Sequence, residues 1–168
     1  MQIRLFIITL LAVSVFLGCG GPKRPAGLPP LYPCAVTITQ GGVPLEGAVV
    51  SLVPEGGGLA RWNASAETNS NGVATIMTHA EFSGAPAGTF KVLVKKEMQS
   101  PPTLPVPPKE ADYDEFVKYN THAATQPWIR YVEKKYGNAD ETPHSITVAK
   151  GKNQATFDVG EAIEEIVK

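Results

Sequence analysis

Read from Cys34 onward, the chain alternates apolar and polar positions with a period of two. CAVTITQ sets Cys34, Val36 and Ile38 against Ala35, Thr37 and Thr39, the pattern of a half-buried strand. After Gln40-Gly41-Gly42, the run AVVSLVP carries Ala48, Val50 and Leu52 on one face. Val49 and Val53 make the other face apolar too, which predicts a central position. Beyond the PEGGG loop, RWNASAET reads as a more polar strand. Asn71-Gly72 separates two β-patterned runs, and because both residues tolerate positive φ the pair predicts a hairpin, with Ala74 and Ile76 pointing one way. Phe90, Val92 and Val94 alternate with Lys91, Leu93 and Lys95 in the clearest amphipathic strand. Ser145–Ala149 and Gln154–Val159 follow, joined by Lys150-Gly151-Lys152-Asn153, with Ile146 and Val148 expected to face Phe157 and Val159. About seven strands at short spacing predict an all-β sandwich over residues 34–160, with 161–168 as a C-terminal tail.

Residues 97–143 interrupt the alternation and read as an insertion. MQSPPTLPVPPKE is extended and polyproline-like. Tyr113, Phe116 and Val117 then fall at i, i+3 and i+4, with Asn120 at i+7. Asp112 stands in N-cap position three residues before Glu115, so a short helix is expected over 112–121. Pro127–Val132 is expected to form a short strand or a turn. A connector this long is either functional or disordered, and Tyr113, Phe116, Tyr119, Trp128, Tyr131 and Tyr136 argue against disorder. Two roles stay open for these rings: packing the insertion onto the sandwich, or presenting a recognition surface.

Ahead of the domain the pattern changes again. Arg4 precedes an apolar run from Leu5 to Leu17 that only Thr9 and Ser14 break. Its thirteen residues at about 1.5 Å each fall well short of a hydrocarbon core about 30 Å thick. Residues 1–18 therefore read as a signal peptide rather than a membrane span. Phe16-Leu17-Gly18-Cys19 resembles the bacterial lipobox, where a small residue precedes a cysteine that is lipidated before cleavage. The resemblance implies acylation (palmitate among the chains) at Cys19, and a protein held to a membrane on the extracytoplasmic side of a bacterial envelope. The plainer alternative is a secreted protein in which Cys19 is incidental. Several acyl chains would anchor stably, since each buried methylene contributes about 0.8 kcal/mol. Residues 19–33 continue as a tether; Gly20–Pro33 holds five prolines and three glycines in fourteen residues, so no helix or central strand is expected there. Its Lys23 and Arg24 would each contribute about 1 kcal/mol beside an anionic surface, although simple solvation is the commoner state of such a pair.

Composition narrows the classes. A net charge of −1 gives no support for a nucleic-acid partner. With 16 Gly, 15 Pro and 18% charged residues, a turn-rich β domain fits better than a helical bundle. Cys19 and Cys34 are the two cysteines, too few for a disulfide framework, and Cys34 opens an alternating strand as a small buried hydrophobe.

GGVPLEGAVVSLVPEG, TNSNGVATI and GAPAGTFKVLVKK together are similar to the carboxypeptidase regulatory-like or transthyretin-like domains. There a glycine-rich turn leads to GA-x-V-x-L-x-P, followed by a T-D-x-x-G-x-F hairpin and P-A-G-x-Y-x-V-x-V. Here Asn69 stands for the Asp and Ala74 for the large aromatic. Lys135–Asn138 through Ser145–Val148 also resembles the ending of a lipoprotein group abundant in planctomycetes. The resemblance spans roughly Thr37 to Val159. It implies an immunoglobulin-like or prealbumin-like sandwich and says little about activity.

Catalytic chemistry has little support. His79, His122 and His144 are scattered, and His79-Ala80-Glu81 is a lone His-x-Glu with no zinc-helix spacing around it. The transthyretin-like hydrolases use a histidine near the first strand and a C-terminal Tyr-Arg-Gly-Ser, and neither occurs here. Intradiol dioxygenases, a related fold, need a closely spaced histidine pair, and no His-x-His exists. No nucleophile elbow supports Ser-His-Asp catalysis, and Gly56-Gly57-Gly58 lies between strands rather than opening a helix. No catalytic residue, metal site or cofactor is expected. The expected partners are the membrane, through the anchor, and an envelope protein or glycan. The competing reading is an enzyme or metal-dependent factor with a loop-built site using His79, His122 or His144.

Acylation at Cys19 makes a direct prediction. Cys19→Ser should leave the chain unprocessed or released from the membrane, read by detergent-phase partitioning and by globomycin sensitivity of the wild type. Wild-type processing and fractionation of Cys19→Ser would refute it.

Overall fold

The period-two segments form strands wherever alternation is strongest. The computed structural model describes residues 23–167, so the signal peptide expected over 1–18 and the acylation expected at Cys19 lie outside the described residues. The early strands are β1 (Leu31–Tyr32), β2 (Cys34–Gln40), β3 (Val43–Pro44), β4 (Val49–Pro54) and β5 (Ala64–Glu67). Next come β6 (Val73–Thr75), β7 (Met77–Thr78), β8 (Phe82–Ser83), β9 (Ala85–Pro86), β10 (Gly88–Lys95) and β11 (Glu97–Gln99). Helix α1 (Tyr113–Ala124) precedes β12 (Trp128–Arg130), β13 (Ser145–Val148), β14 (Asn153–Asp158) and β15 (Glu165–Val167).

The result is an all-β sandwich. One sheet has the order β13-β10-β4-β5-β7-β8, and the facing sheet has β14-β2-β3, with β6 also pairing β2. Val36 and Ile38 from one sheet and Val50, Leu52, Phe90, Val92 and Val94 from the other fill a single buried core. β4 is central as expected, between β10 and β5, but only its Val50–Leu52 face is covered; Val49 is exposed. Ile146, Val148 and Val159 are buried in the same core, with Phe157 packed against it. Among the described residues three polar side chains are buried, each a threonine with a backbone partner. Thr68 Oγ1 donates to the Leu45 carbonyl at 2.6 Å and accepts from the Ala48 amide at 2.8 Å. Thr78 donates to Gly84, and Thr142 to Val92.

Asn71-Gly72 does make a tight reversal, but not a hairpin. Asn69 Oδ1 accepts from the Asn71 and Val73 amides at 3.0 Å. Gly72 has φ +72, and a side chain there would collide with the Ile38 carbonyl. After the turn the chain changes sheets: β6 pairs antiparallel with β2, Val36 opposite Ala74, while β5 is flanked by β4 and β7. Turn chemistry specifies the reversal but not the partner. Burying Ala74 and Ile76 between the sheets decides the partner.

Three boundaries also differ from the expectation. Residues 128–143 are not a free insertion: Val132 and Tyr136 join the sandwich core, Thr142 bonds to β10, and β12 forms a separate small sheet with β11 and β15. The segment read as a C-terminal tail supplies β15, paired to β12. The tether is shorter than 19–33, since Leu28 is buried and β1 pairs with β9.

Phe90→Ala should cost about 3–5 kcal/mol, because it empties a fully buried ring site. Lys91→Ala, next to it on the outer face with only a 3.8 Å ion pair to Glu55, should cost under about 0.5 kcal/mol in urea unfolding. Equal losses would mean the faces are misassigned.

Candidate binding surface

At the Lys95 end of β10 the chain enters a second, smaller sheet of order β11-β12-β15. Glu97, Arg130 and Glu165 lie opposite one another across its strands. Arg130 spans them, Nε 3.1 Å from Glu97 and Nη1 3.1 Å from Glu165. One guanidinium thus joins the segment after β10 to the end of the chain. A cavity of about 300 Å³ beside it is lined by Lys95, Glu97, Arg130, Glu133 and Asn138 among others. Of its charged lining, Arg130 is paired with Glu97 and Glu133 pairs with Lys135 at 2.8 Å, while Lys95 and Lys134 have no ion pair among the described residues.

The next cross-strand row is Met98, Ile129 and Ile166, which share the opposite face because directly paired residues point the same way. Met98 is 55% exposed and Ile166 60%. An apolar row left open on a small sheet is unusual for a solvated surface.

Helix α1 forms where the i, i+3, i+4 pattern predicts, with Asp112 accepting from the Glu115 amide at 2.9 Å as N-cap; it runs to Ala124, three residues beyond the expected end. Its far end is held by the Gln99 side-chain amide, which donates to the Ala123 carbonyl at 2.9 Å. No residue of α1 is buried. Tyr113 is 80% exposed, Phe116 and Val117 are exposed beside it, and Trp128 is 49% exposed. The aromatics of 97–143 therefore divide. Tyr136 packs the core, Tyr131 and Tyr119 are half-buried, and Tyr113, Phe116 and Trp128 face solvent.

The three histidines are held in separate settings. His79, with φ +56, donates from Nε2 to the Arg61 carbonyl (3.1 Å) and meets the Trp62 ring edge-on. His122 sits in the last turn of α1 with Thr103 at 2.8 Å and Gln126 at 3.1 Å. His144 stacks between Tyr136 and Phe157, its Nε2 3.0 Å from the Asp158 carbonyl. A carbonyl only accepts, so in the neutral ring Nε2 carries the proton. Among the described residues no three His, Cys, Asp or Glu side chains are grouped to hold a metal. Cys34 is buried, and burial pushes its thiol up to about 11, which suits the small hydrophobe the alternation implied.

The sequence reading missed Asp158. Its carboxylate accepts from Thr39 Oγ1 (2.7 Å) and from the Gly42 and Gly160 amides (2.9 and 2.8 Å). These bonds, the threonine hydroxyl foremost, hold it below the usual carboxylate range. No local signal marks it, since Thr39 and Gly42 lie more than a hundred residues away. Arg130 was missed because its partners Glu97 and Glu165 lie 33 and 35 residues from it, beyond any local pattern. Comparison with protein-family models, with curated proteins and with solved structures finds no match for this chain.

Burial lowers His144 below the ordinary histidine value of 6.5. The fold therefore prefers the neutral ring: its contribution is complete above 6.5 and declines as pH falls through and below that value. Asp158, also lowered, gives way only in more acid solution, below the ordinary 3.8. The urea midpoint should thus fall between about pH 7.5 and about pH 5.5, and His144→Phe, which keeps a ring in the stack, should flatten that fall. An unchanged slope in His144→Phe would assign the transition to another group.

Proposed function

We propose that this protein is a membrane-anchored extracytoplasmic lipoprotein whose sandwich is a non-catalytic binding module, presenting exposed apolar side chains beyond β10 to a protein or glycan of the cell envelope. The observation that carries the reading is the set of exposed apolar side chains beyond β10: Met98 and Ile166 on one face of the small sheet, Trp128 on its other face, and Tyr113 and Phe116 on α1. Interfaces are enriched in aromatic residues and Met, and a patch exposed on a rigid sandwich loses little entropy on binding. The anchor rests on Arg4, the short apolar run and Gly18-Cys19.

The family reading is proposed on the same footing, as a carboxypeptidase regulatory-like domain. Its three motif strings fall on β3 to β4, on the turn into β6, and on β9 to β10. A catalytic role for His79, His122 or His144 has no comparable support, because each ring is engaged by a different neighbourhood.

Residues 100–127 hold no strand and give no residue to the buried core, which makes a clean test possible. Replacing 101–126 with a Gly/Ser linker should preserve a cooperative melt, because loop closure cost grows only with the logarithm of length. The same variant should lose crosslinks from a photoreactive group at Trp128 in intact envelopes, and Phe116→Ala should lose part of them. A folded linker variant with undiminished crosslinks would move recognition elsewhere on the sandwich.

A further inference from the structure

The sandwich has two chemically distinct ends, and strand register places each loop at one of them. Cys34 pairs with Asn153, Gly88 with Val148, and Phe90 with Pro54. The 149–152 turn joins the two sheets at that end, so Gly27–Pro33, Glu55–Asn63, His79–Ala87 and Ala149–Lys152 all lie together. The seven-residue β2 runs about 20 Å to the opposite end, where Gly41-Gly42, Gly160 and the β11-β12-β15 sheet are found. The N-terminal segment leaves from the first end and the apolar surface lies at the second.

Charge is divided the same way. Lys23, Arg24, Arg61, Lys150 and Lys152 are all exposed at the first end, and none has a carboxylate within ion-pair distance among the described residues. Of the chain's 16 carboxylates only Glu55 and Glu81 belong to the loops of this end, and Glu55 is paired with Lys91. Arg61 also ties the emerging chain to this face: its guanidinium donates to the Gly27 carbonyl at 3.2 Å and lies 4.4 Å from the centre of the Trp62 ring.

We infer that this end is a cationic face that docks on anionic phospholipid headgroups and stands the molecule with its apolar surface turned away from the bilayer. The inference rests on the lipid-anchor reading for proximity. With Leu28 buried and β1 paired, the eight peptide steps from Cys19 to Gly27 span at most about 29 Å. Attraction to a charged leaflet fades within a Debye length, about 10 Å at 0.1 M salt, so an anchor that keeps the domain beside the leaflet lets the face engage far more often than free diffusion does. The spacer's reach keeps the face within contact distance of the leaflet without fixing it there. The excess of carboxylates on the rest of the molecule opposes the inverted orientation.

The test uses the full-length acylated protein in vesicles of phosphatidylcholine with or without phosphatidylglycerol. A fluorophore is placed at Gly57→Cys, where a side chain meets no neighbour, or at Val43→Cys, 65% exposed at the opposite end. Cys34 stays unlabelled because it is buried. A lipid-borne quencher should quench the Gly57 label more than the Val43 label in anionic vesicles. That difference should vanish in Arg61→Glu/Lys150→Glu/Lys152→Glu, and on raising salt from about 50 mM to about 500 mM. Lys150→Gln/Lys152→Gln, which leaves the Arg61–Gly27 bond intact, should give an intermediate loss. Equal quenching of the two labels, or a difference that persists without phosphatidylglycerol, overturns the inference. The mass of the Cys19 peptide reports separately on the anchor. Should it carry no acyl chain, the anchor reading fails, and co-sedimentation of the unacylated protein with the same vesicles decides the docking face. Salt-sensitive binding about tenfold weaker in the triple variant would uphold it, and no binding would overturn it.

Discussion

The arrangement of everything else follows from the parallel pairing of β2 with β14. Six residue pairs, from Cys34–Asn153 to Thr39–Asp158, join the first long strand to one of the last. Parallel pairing requires a long crossover, and here the crossover is nearly the whole domain. Asp158 secures its far end by gathering Thr39, Gly42 and Gly160 on one carboxylate, while the Gly41 amide donates to the Gly160 carbonyl. With β14 placed there, β13 is left to pair β10, and the two sheets close over Phe90, Val92 and Val94.

This closure also gives the molecule its polarity. Since β2 and β14 run the same way, the chain's entry and the 149–152 turn share one end. The Gln40 side chain reaches the Tyr131 carbonyl at the other, 2.8 Å away, and attaches the small sheet there. Arg130 then holds three strands from distant parts of the sequence in one layer. The apolar row of Met98, Ile129 and Ile166 is a by-product of that pairing. Ion pairs on one face fix the register, and the period of two leaves the intervening residues on the other.

Dependence on distant contacts explains which features were legible beforehand. The strand faces were readable because burial acts on each residue separately: Val36, Ile38, Val92 and Val94 carry their side in the alternation itself. Helix α1 was readable because the Asp112 cap and the Tyr113-Phe116-Val117 stripe are local. The Asn71-Gly72 turn was half readable, as a reversal whose onward strand pairs in the other sheet. The extent of the insertion was misjudged because Val132 and Tyr136 have no periodic pattern to mark them as core.

The sequence by itself determined an all-β chain, the inward face of its main strands, the capped helix and an apolar run, Leu5 to Leu17, ahead of Gly18-Cys19. Each is written in residues a few positions apart, where backbone geometry and side-chain type suffice. Only the tertiary structure decided which strands are neighbours, that 128–143 and 165–167 complete the domain, and that Tyr113, Phe116 and Trp128 remain exposed while Tyr136 does not. It also decided that five cations from three separate loops share one end. These outcomes depend on pairing energy summed over residues a hundred positions apart. An aromatic side chain has the same affinity for a core as for a partner, so its sequence position alone does not choose between them.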